Sequence, residues 1–393
     1  MIKRVDDKTT NIAMELVSLS LAGKKLEEVP YSDEELEAVF EYVKDSGISA
    51  ITFMALEDAV SVIDENSFMF EWKKLRLNSI RRNLLFDQER SVITSFMEQN
   101  GIWYVPLKGS VIKELYPNPE MREMNDNDIL IDQDGRDKAK EFMFDRGYNL
   151  KPNDDGEIDD KGNSDEYIKD PFLYFELHKF LIEKSYSPEQ EEYFKDVKFR
   201  LIKDSDKKFG YHFTDEEFYI YMICHAHKHF MRNGMGVRFL MDEYVFLKAK
   251  GDSLDFDYIN KKMKDFGLDR FEADMREVAM KAFDLNCDIL ESDLTTSQKK
   301  LYDSCIGAGV FGNIETRWKN QEYELSADGE ASKGKYIKSR LFPDEQWYRI
   351  YHPFVHKHKI VKPFFIVYRM TVMLFRGRKT VKKEMDQVGG KDA

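Results

Sequence analysis

The chain has 393 residues, 42% of them hydrophobic and 34% charged, and carries a net charge of −13. That length exceeds one ordinary core, so two or three packed units are expected, and the composition is that of a soluble globular protein. Between Lys333 and Lys383, 14 Lys and Arg face only Asp344 and Glu345, a local balance of +12 that leaves about −25 for the rest. An acidic body argues against broad nonspecific binding to nucleic acid, while the basic end suits phosphates or a membrane surface. No stretch of about 18 apolar residues suggests a membrane span, and MIKRVDDKTTNIAMEL lacks the apolar core of a signal peptide. Cys224, Cys287 and Cys305 have neither metal-ligand spacing nor an even count. They fit buried thiols in a reducing cytoplasm, the expected location.

Residues 1–100 read as helices. Ser32-Asp33-Glu34-Glu35 is a capping box, after which Leu36, Val39, Phe40 and Val43 share one helical face. Ser67 to Asn100 has the pattern of a long charged helix, with Gly101 placed to stop it. Ile102 to Leu107 then reads as a strand, Ser110 to Leu115 as a short helix, and Tyr116-Pro117-Asn118-Pro119 as loop. A second strand is expected over Asp126 to Ile131, and a helix from Arg136 to Arg146 that ends at Gly147. The polar segment from Lys151 to Glu166 reads as a turn or mobile loop, and the aromatic FLYFELH from Phe172 to His178 as a third strand. Helical spacing returns from Asp215. The expected organisation is a helical region at 1–100, an α+β unit at 101–205, a helical unit at 206–332 and a basic helical segment at 333–393.

Side chains alternate on a strand, so Asp126 and Asp128 would share a face with Asn127 opposite. Two carboxylates about 7 Å apart on one face repel unless a cation lies between them, and magnesium prefers such hard oxygen ligands. Glu176 and His178 share a face of the third strand. If the two strands are neighbours, Glu176 joins the aspartates in the kind of carboxylate cluster that two-metal phosphoryl chemistry uses. Asp-x-Asp is not rare here, recurring at 132/134, 204/206 and 255/257. Only the pair at 126/128 combines an apolar strand after it with a Gly-Ser turn before it. In that turn Gly109 lets backbone N–H groups approach an anion, Ser110 opens a helix with a hydroxyl, and Lys108 and Arg122 are positioned to neutralise a triphosphate. The competing reading is a charged strand end beside an ordinary strand-to-helix turn.

LKGSVIKELYP, REMNDNDILI and FELH together resemble the bacterial family of uncharacterised nucleotidyltransferases within the DNA-polymerase-beta-type superfamily. Similar stretches run on through HAHKHFMRNGMGVRFLMDEYVFL, SRLFPDEQW and KPFFIVYR. The resemblance implies an α+β fold with a small mixed sheet and flanking helical regions. It implies Gly109 and Ser110 as triphosphate contacts, Asp126 and Asp128 as metal ligands, and Glu176 as the third catalytic carboxylate. The gap between Ser110 and Asp126 is longer than in minimal members of that superfamily, and the third acid is Glu rather than Asp.

On a helix His225 and His229 share a face one turn apart, which is also zinc-ligand geometry, but no further ligand stands at the right spacing. His229 is a candidate for lining the nucleotide or acceptor cleft, with plain interdomain packing or surface as the alternative, and His178 stands beside the carboxylates. Arg238 and Asp242, four apart, suit a helical ion pair. Lys362 to Lys383 joins an apolar run to a basic cluster. It is expected to pack its apolar face on the body, with weak contact to an anionic membrane surface as the alternative.

The reading is a nucleotidyltransferase that uses Mg2+ or Mn2+ to move a nucleoside monophosphate from an NTP, ATP first, to an acceptor, releasing pyrophosphate. The acceptor is left open among a sugar, a small metabolite, a protein hydroxyl and an RNA end. A non-catalytic nucleotide-binding or assembly protein and a peripheral membrane scaffold are the rival readings.

Overall fold

The computed structural model describes residues 7–60, 63–152, 162–183, 187–232, 234–289 and 292–309, then 320, 323, 342, 345, 348 and 352–375. The chain is α+β, with helices α1 (Asp7–Leu21), α2 (Asp33–Ser46), α3 (Ser49–Leu56) and α4 (Phe68–Asn100) preceding the sheet. The capping box forms: Ser32 Oγ accepts from the Glu35 N–H while the Glu35 carboxylate accepts from the Ser32 N–H. Gly101 ends α4 at φ 72°, a left-handed conformation that a residue with a Cβ adopts poorly.

Five strands follow: β1 (Tyr104–Pro106), β2 (Asn127–Ile131), β3 (Asn149–Leu150), β4 (Ser164–Lys169) and β5 (Leu173–His178), with short helix α5 (Gly109–Ile112) after β1 and α6 (Arg136–Asp145) after β2. They lie in the order β1-β2-β5-β4-β3. β2 and β5 run parallel and the other pairs antiparallel, so the sheet is small and mixed. The first strand is shorter than the apolar run suggested, ending at Pro106, which has no N–H for the ladder. β4 begins inside the polar segment expected to be loop, and residues 153–161 of that segment lie outside the described residues.

One face of the sheet packs on the second half of α4. Phe86, Ile93 and Met97 meet Ile129, Ile131, Phe175 and Leu177 in one core, with Phe86 and Phe175 edge to face at 5.7 Å. The other face bears Asp128 and Glu176 and looks onto the helical half. That half comprises α7 (Pro188–Lys195), a two-stranded ribbon of β6 (Ile202–Lys203) and β7 (Tyr211–His212), then α8 (Asp215–Arg232), α9 (Val237–Lys250), α10 (Phe256–Asp265), α11 (Asp269–Ala282) and α12 (Thr296–Gly307). Its core is continuous with that of α1–α3.

Near the end, α13 (Pro353–Lys357) and α14 (Lys362–Phe375) depart from expectation. Phe365 turns toward Tyr348 and His352, but Phe364 is 74% exposed and Val367 and Tyr368 are exposed beside it, so among the described residues this part of the apolar stripe is only partly covered. The basic cluster beyond Phe375 lies outside the described residues, as does most of SRLFPDEQW. Among the described residues no helix is long and apolar enough to cross a membrane.

The helical core holds an acid pair whose proton count can be worked out. The Tyr219 hydroxyl lies 2.6 Å from Glu243 Oε1 and 2.8 Å from Glu272 Oε1. One phenolic proton satisfies only one of these acceptors well, and a proton on either carboxyl would satisfy the other. Arg276 Nε donates to Glu272 Oε1 at 2.7 Å. The proton therefore sits on Glu243: burial, with the Glu272 charge added, outweighs the Tyr219 hydrogen bond and pushes its pKa up to about 8. A glutamate in the unfolded chain ionises near 4.5, so between that pH and 8 the folded chain holds a proton that the unfolded chain has lost. Stability falls as pH rises through this window. Glu243→Gln, which removes the charge and keeps the size, is expected to match wild type near pH 5 and to exceed it by roughly 4 kcal/mol at pH 9. Denaturation curves across that range check this; a gap that does not open with pH would place the proton elsewhere.

Candidate functional site

The register of the two parallel strands builds the site. Asp128 of β2 pairs with Glu176 of β5, and Leu130 with His178, so the acids and the histidine share one face. The backbone N–H of Leu107 donates to the Asp128 carbonyl at 3.0 Å, which holds the turn after β1 directly against the acids. Lys108 in that turn has φ 51° and ψ −126°, the one non-glycine with positive φ among the described residues. Such a conformation costs about 1–3 kcal/mol and persists only where the surroundings impose it.

The result is a buried ionic cluster. The Lys108 ammonium lies 2.5 Å from Asp128 Oδ1 and 3.9 Å from Glu176 Oε2. His178 Nε2 lies 2.7 Å from Asp128 Oδ1 and 3.2 Å from Glu176 Oε2, while its Nδ1 meets the Asn163 amide at 3.2 Å. Burial opposes the charge on Lys108, but Asp128, then Glu176 and Asp126, more than offset it and raise the pKa well above the lysine range. Burial and Lys108 also oppose a charged His178, yet its hydrogen bonds to Asp128 and Glu176 raise its pKa. Glu176 goes the other way. Burial would raise it, but the His178 hydrogen bond and the Lys108 charge hold it well below the carboxylate range.

Asp126 differs from its neighbour. β2 starts at Asn127, so Asp126 lies just before the strand and outside the tight group formed by Asp128, Glu176 and His178, whose donor atoms lie within 4.8 Å of one another. Burial and the Asp128 charge push its pKa up to about 6 despite Lys108. The expected carboxylate trio is thus, in its tight part, two carboxylates and an imidazole. That donor set suits a divalent cation, because it offers anionic oxygens and an imidazole nitrogen at a spacing one ion can bridge.

The other expected residues separate into those that line the cleft and those that serve the fold. Lys108, Gly109, Arg122, Asp126, Glu176, His178 and His229 border a cleft of about 720 Å³ between the sheet and α8–α9. Ser110 is 4% exposed and its hydroxyl donates back to the Leu107 carbonyl at 2.8 Å, closing the turn. Arg122 is bidentate to Asp242 at 2.8 Å, and Tyr116 donates to the same carboxylate at 2.8 Å. A Cβ on Gly109 would run into that guanidinium, which gives the glycine a steric role whether or not an anion approaches. Arg238 does not pair with Asp242; its Nη1 donates to the Glu123 carbonyl at 2.9 Å, because Arg122 has already taken the carboxylate.

Across the cleft, His225 and His229 touch through their Nε2 atoms at 3.1 Å and pack on Phe239. Among the described residues no third ligand joins them, so the zinc geometry is incomplete. Burial, then the Lys108 charge, lowers both pKa values, that of His229 to about 4. They are neutral rings at pH 7. Asn163 and Tyr174, whose hydroxyl lies 2.5 Å from Glu166 Oε2 and 3.0 Å from Glu176 Oε1, escaped the sequence reading. Tyr174 stands two residues before Glu176 on the same strand face, and that period was the available signal.

Residues 32–284, more than half of the chain, match the model of a family described as "Uncharacterised nucleotidyltransferase", and the chain belongs to that family. No curated protein and no solved structure matches it.

The two aspartates should therefore respond oppositely to loss of charge. Asp126→Asn removes a carboxylate that burial and Asp128 disfavour, so at pH 7.5 without metal its thermal midpoint should equal wild type or rise by up to about 3 °C. Asp128→Asn strips Lys108 and His178 of their shared partner and should destabilise by about 3 kcal/mol. Denaturation in EDTA separates the two; the reverse order would make Asp126 the structural residue.

Proposed function

We propose that this member of the family transfers a nucleoside monophosphate from an NTP, with ATP the first candidate, to an acceptor group and releases pyrophosphate. The observation that carries the reading is the parallel register of Asp128 with Glu176, facing a cleft of a size that suits a nucleotide. Asp126, Asp128 and Glu176, with His178 beside them, would hold Mg2+ or Mn2+. When bound, the cation would supply charge neutralisation for the triphosphate. Lys108 adds a positive charge at the same edge, and Gly109, which lines the cleft beside it, would offer its backbone N–H to the triphosphate. Arg122 acts one step back, keeping the turn and α9 together through Asp242. In the transfer, an acceptor oxygen bonds to the α-phosphorus as the bond to the bridging oxygen of the β-phosphate breaks. The acceptor's proton, if it is a hydroxyl, passes to a cleft carboxylate. His229 and Phe239 form the facing wall. The described cysteines are all free, which favours a reducing cytoplasm.

Incubation with α-³²P-labelled NTPs, Mg2+ or Mn2+ and cell extract should label an acceptor, and Asp126→Asn should lose the label while remaining folded. Nucleotide binding without any transfer, by wild type and variant alike, would favour the non-catalytic binder.

The exposed stripe of Phe364, Val367 and Tyr368, next to the basic run in the sequence, favours an accessory contact with an anionic membrane surface. The full chain should co-float with vesicles rich in acidic phospholipid at low salt, and Phe364→Glu with Val367→Glu should abolish flotation. Equal flotation of both proteins would remove this reading.

A further inference from the structure

The acids of the cleft already hold a cation, and it belongs to the chain. Lys108 Nζ, 2.5 Å from Asp128 and 3.9 Å from Glu176, stands among the donor atoms a metal would use. At about 4 Å the repulsion between two cations is several kcal/mol even at the effective dielectric of a protein surface, so the ammonium and a metal ion compete for these two acids. The turn is suited to that exchange. Lys108 is held at φ 51°, its flexible four-carbon stem gives the ammonium reach, and it borders the open cleft.

His178 supplies the second half of the argument. Its Nε2 lies with the two carboxylates and its Nδ1 meets the Asn163 amide at 3.2 Å. With the amide N–H toward Nδ1, the proton sits on Nε2 and is donated to Asp128. With the amide turned over, its oxygen accepts from Nδ1–H and the Nε2 lone pair faces the carboxylates. An outer partner of this kind is what fixes a metal-bound imidazole. A site of two carboxylates and one imidazole departs from the all-oxygen set that Mg2+ prefers and suits Mn2+ better.

We propose that Asp128, Glu176 and His178 bind a divalent cation of the Mn2+ class in exchange for the Lys108 ammonium, and that the freed lysine then serves the triphosphate. The last clause rests on the nucleotidyl-transfer reading; the exchange itself does not. It makes nucleotide and metal mutually reinforcing: an anion that receives Lys108 opens the site to the ion.

The test is metal binding by the EDTA-stripped full-length protein, with free Mn2+ read by electron paramagnetic resonance and Mg2+ by competition. Lys108→Met and Lys108→Gly should each bind Mn2+ at least about tenfold more tightly than wild type without nucleotide. The glycine variant also relieves the positive φ, so it keeps the test alive if the methionine variant fails to fold. A non-hydrolysable ATP analogue should tighten Mn2+ binding to wild type and do little for the lysine variants. His178→Gln should lower the ratio of Mn2+ to Mg2+ affinity by about tenfold or more. Lysine variants that bind Mn2+ no more tightly than wild type would overturn the exchange, and an unchanged metal ratio in His178→Gln would overturn the imidazole ligand. If these metal results hold but no nucleotide binds, the exchange stands and the transferase reading falls; if label transfers but the lysine variants bind metal as wild type does, only the exchange falls.

Discussion

The contact between Lys108 and Asp128 is the constraint on which the cleft depends. Parallel pairing of β2 with β5 puts Asp128 directly beside Glu176 on a buried face. Two carboxylates there would be unstable alone, since burial and mutual repulsion both oppose their charge. The chain meets this with a lysine in a turn so tight that its φ is positive, anchored by the Leu107 to Asp128 backbone hydrogen bond. Strain in the turn and repulsion between the acids are each unfavourable, and each is held in place by the other.

A second ionic contact fixes where that turn sits. Arg122, Asp242 and Tyr116 join the loop before β2, the segment after α5 and helix α9 through one carboxylate. The guanidinium lies so close to Gly109 that a Cβ there would collide with it. A glycine that sequence reasoning assigns to anion approach is thus already required by packing. Both needs can be met by one residue because both demand close approach to the same backbone. Ser110 shows the limit of the argument by type: a hydroxyl at a helix start looks like a ligand contact, yet here it closes its own turn.

Local signals were legible in the sequence. The capping box at Ser32, the stop at Gly101, the end of α6 before Gly147, and the strands carrying Asp128 and Glu176 all follow from residues within a few positions of one another. What could not be read was set by pairing across the chain. β4 is hidden in a polar segment because it is stabilised by its ladder with β5 rather than by an apolar run of its own. The pairing of Arg122 with Asp242 was likewise hidden. An i,i+4 spacing made Arg238 the obvious partner of Asp242, and only the fold brings a residue 120 positions away into better geometry. The inequality of Asp126 and Asp128 has the same origin. The alternation rule treats them alike, but the strand begins between them, so one is drawn into the ladder while the other stays at its mouth.

The two walls of the cleft differ in kind, and the difference follows from the same lysine. On the sheet side the charges are dense and mutually compensated. On the side of α8, burial first and the Lys108 charge second hold His225 and His229 neutral, so they pack as rings on Phe239. Lys228 and Arg232, farther along the same helix, are both committed to Glu183. A ligand entering the cleft therefore meets strong fields at the sheet wall and, at the other, the neutral rings of His225 and His229 with Phe239, beside the paired charges of Lys228 and Arg232 with Glu183. That polarity suits a molecule with an ionic end and a flat, weakly polar end, held so that the ionic end lies against Asp128 and Glu176. Removing the lysine charge from the acids would strengthen the pull of the sheet side on a metal ion and, at the same time, lift one of the constraints that keep the histidines uncharged. The two walls are electrically coupled through Lys108 even where their side chains do not touch.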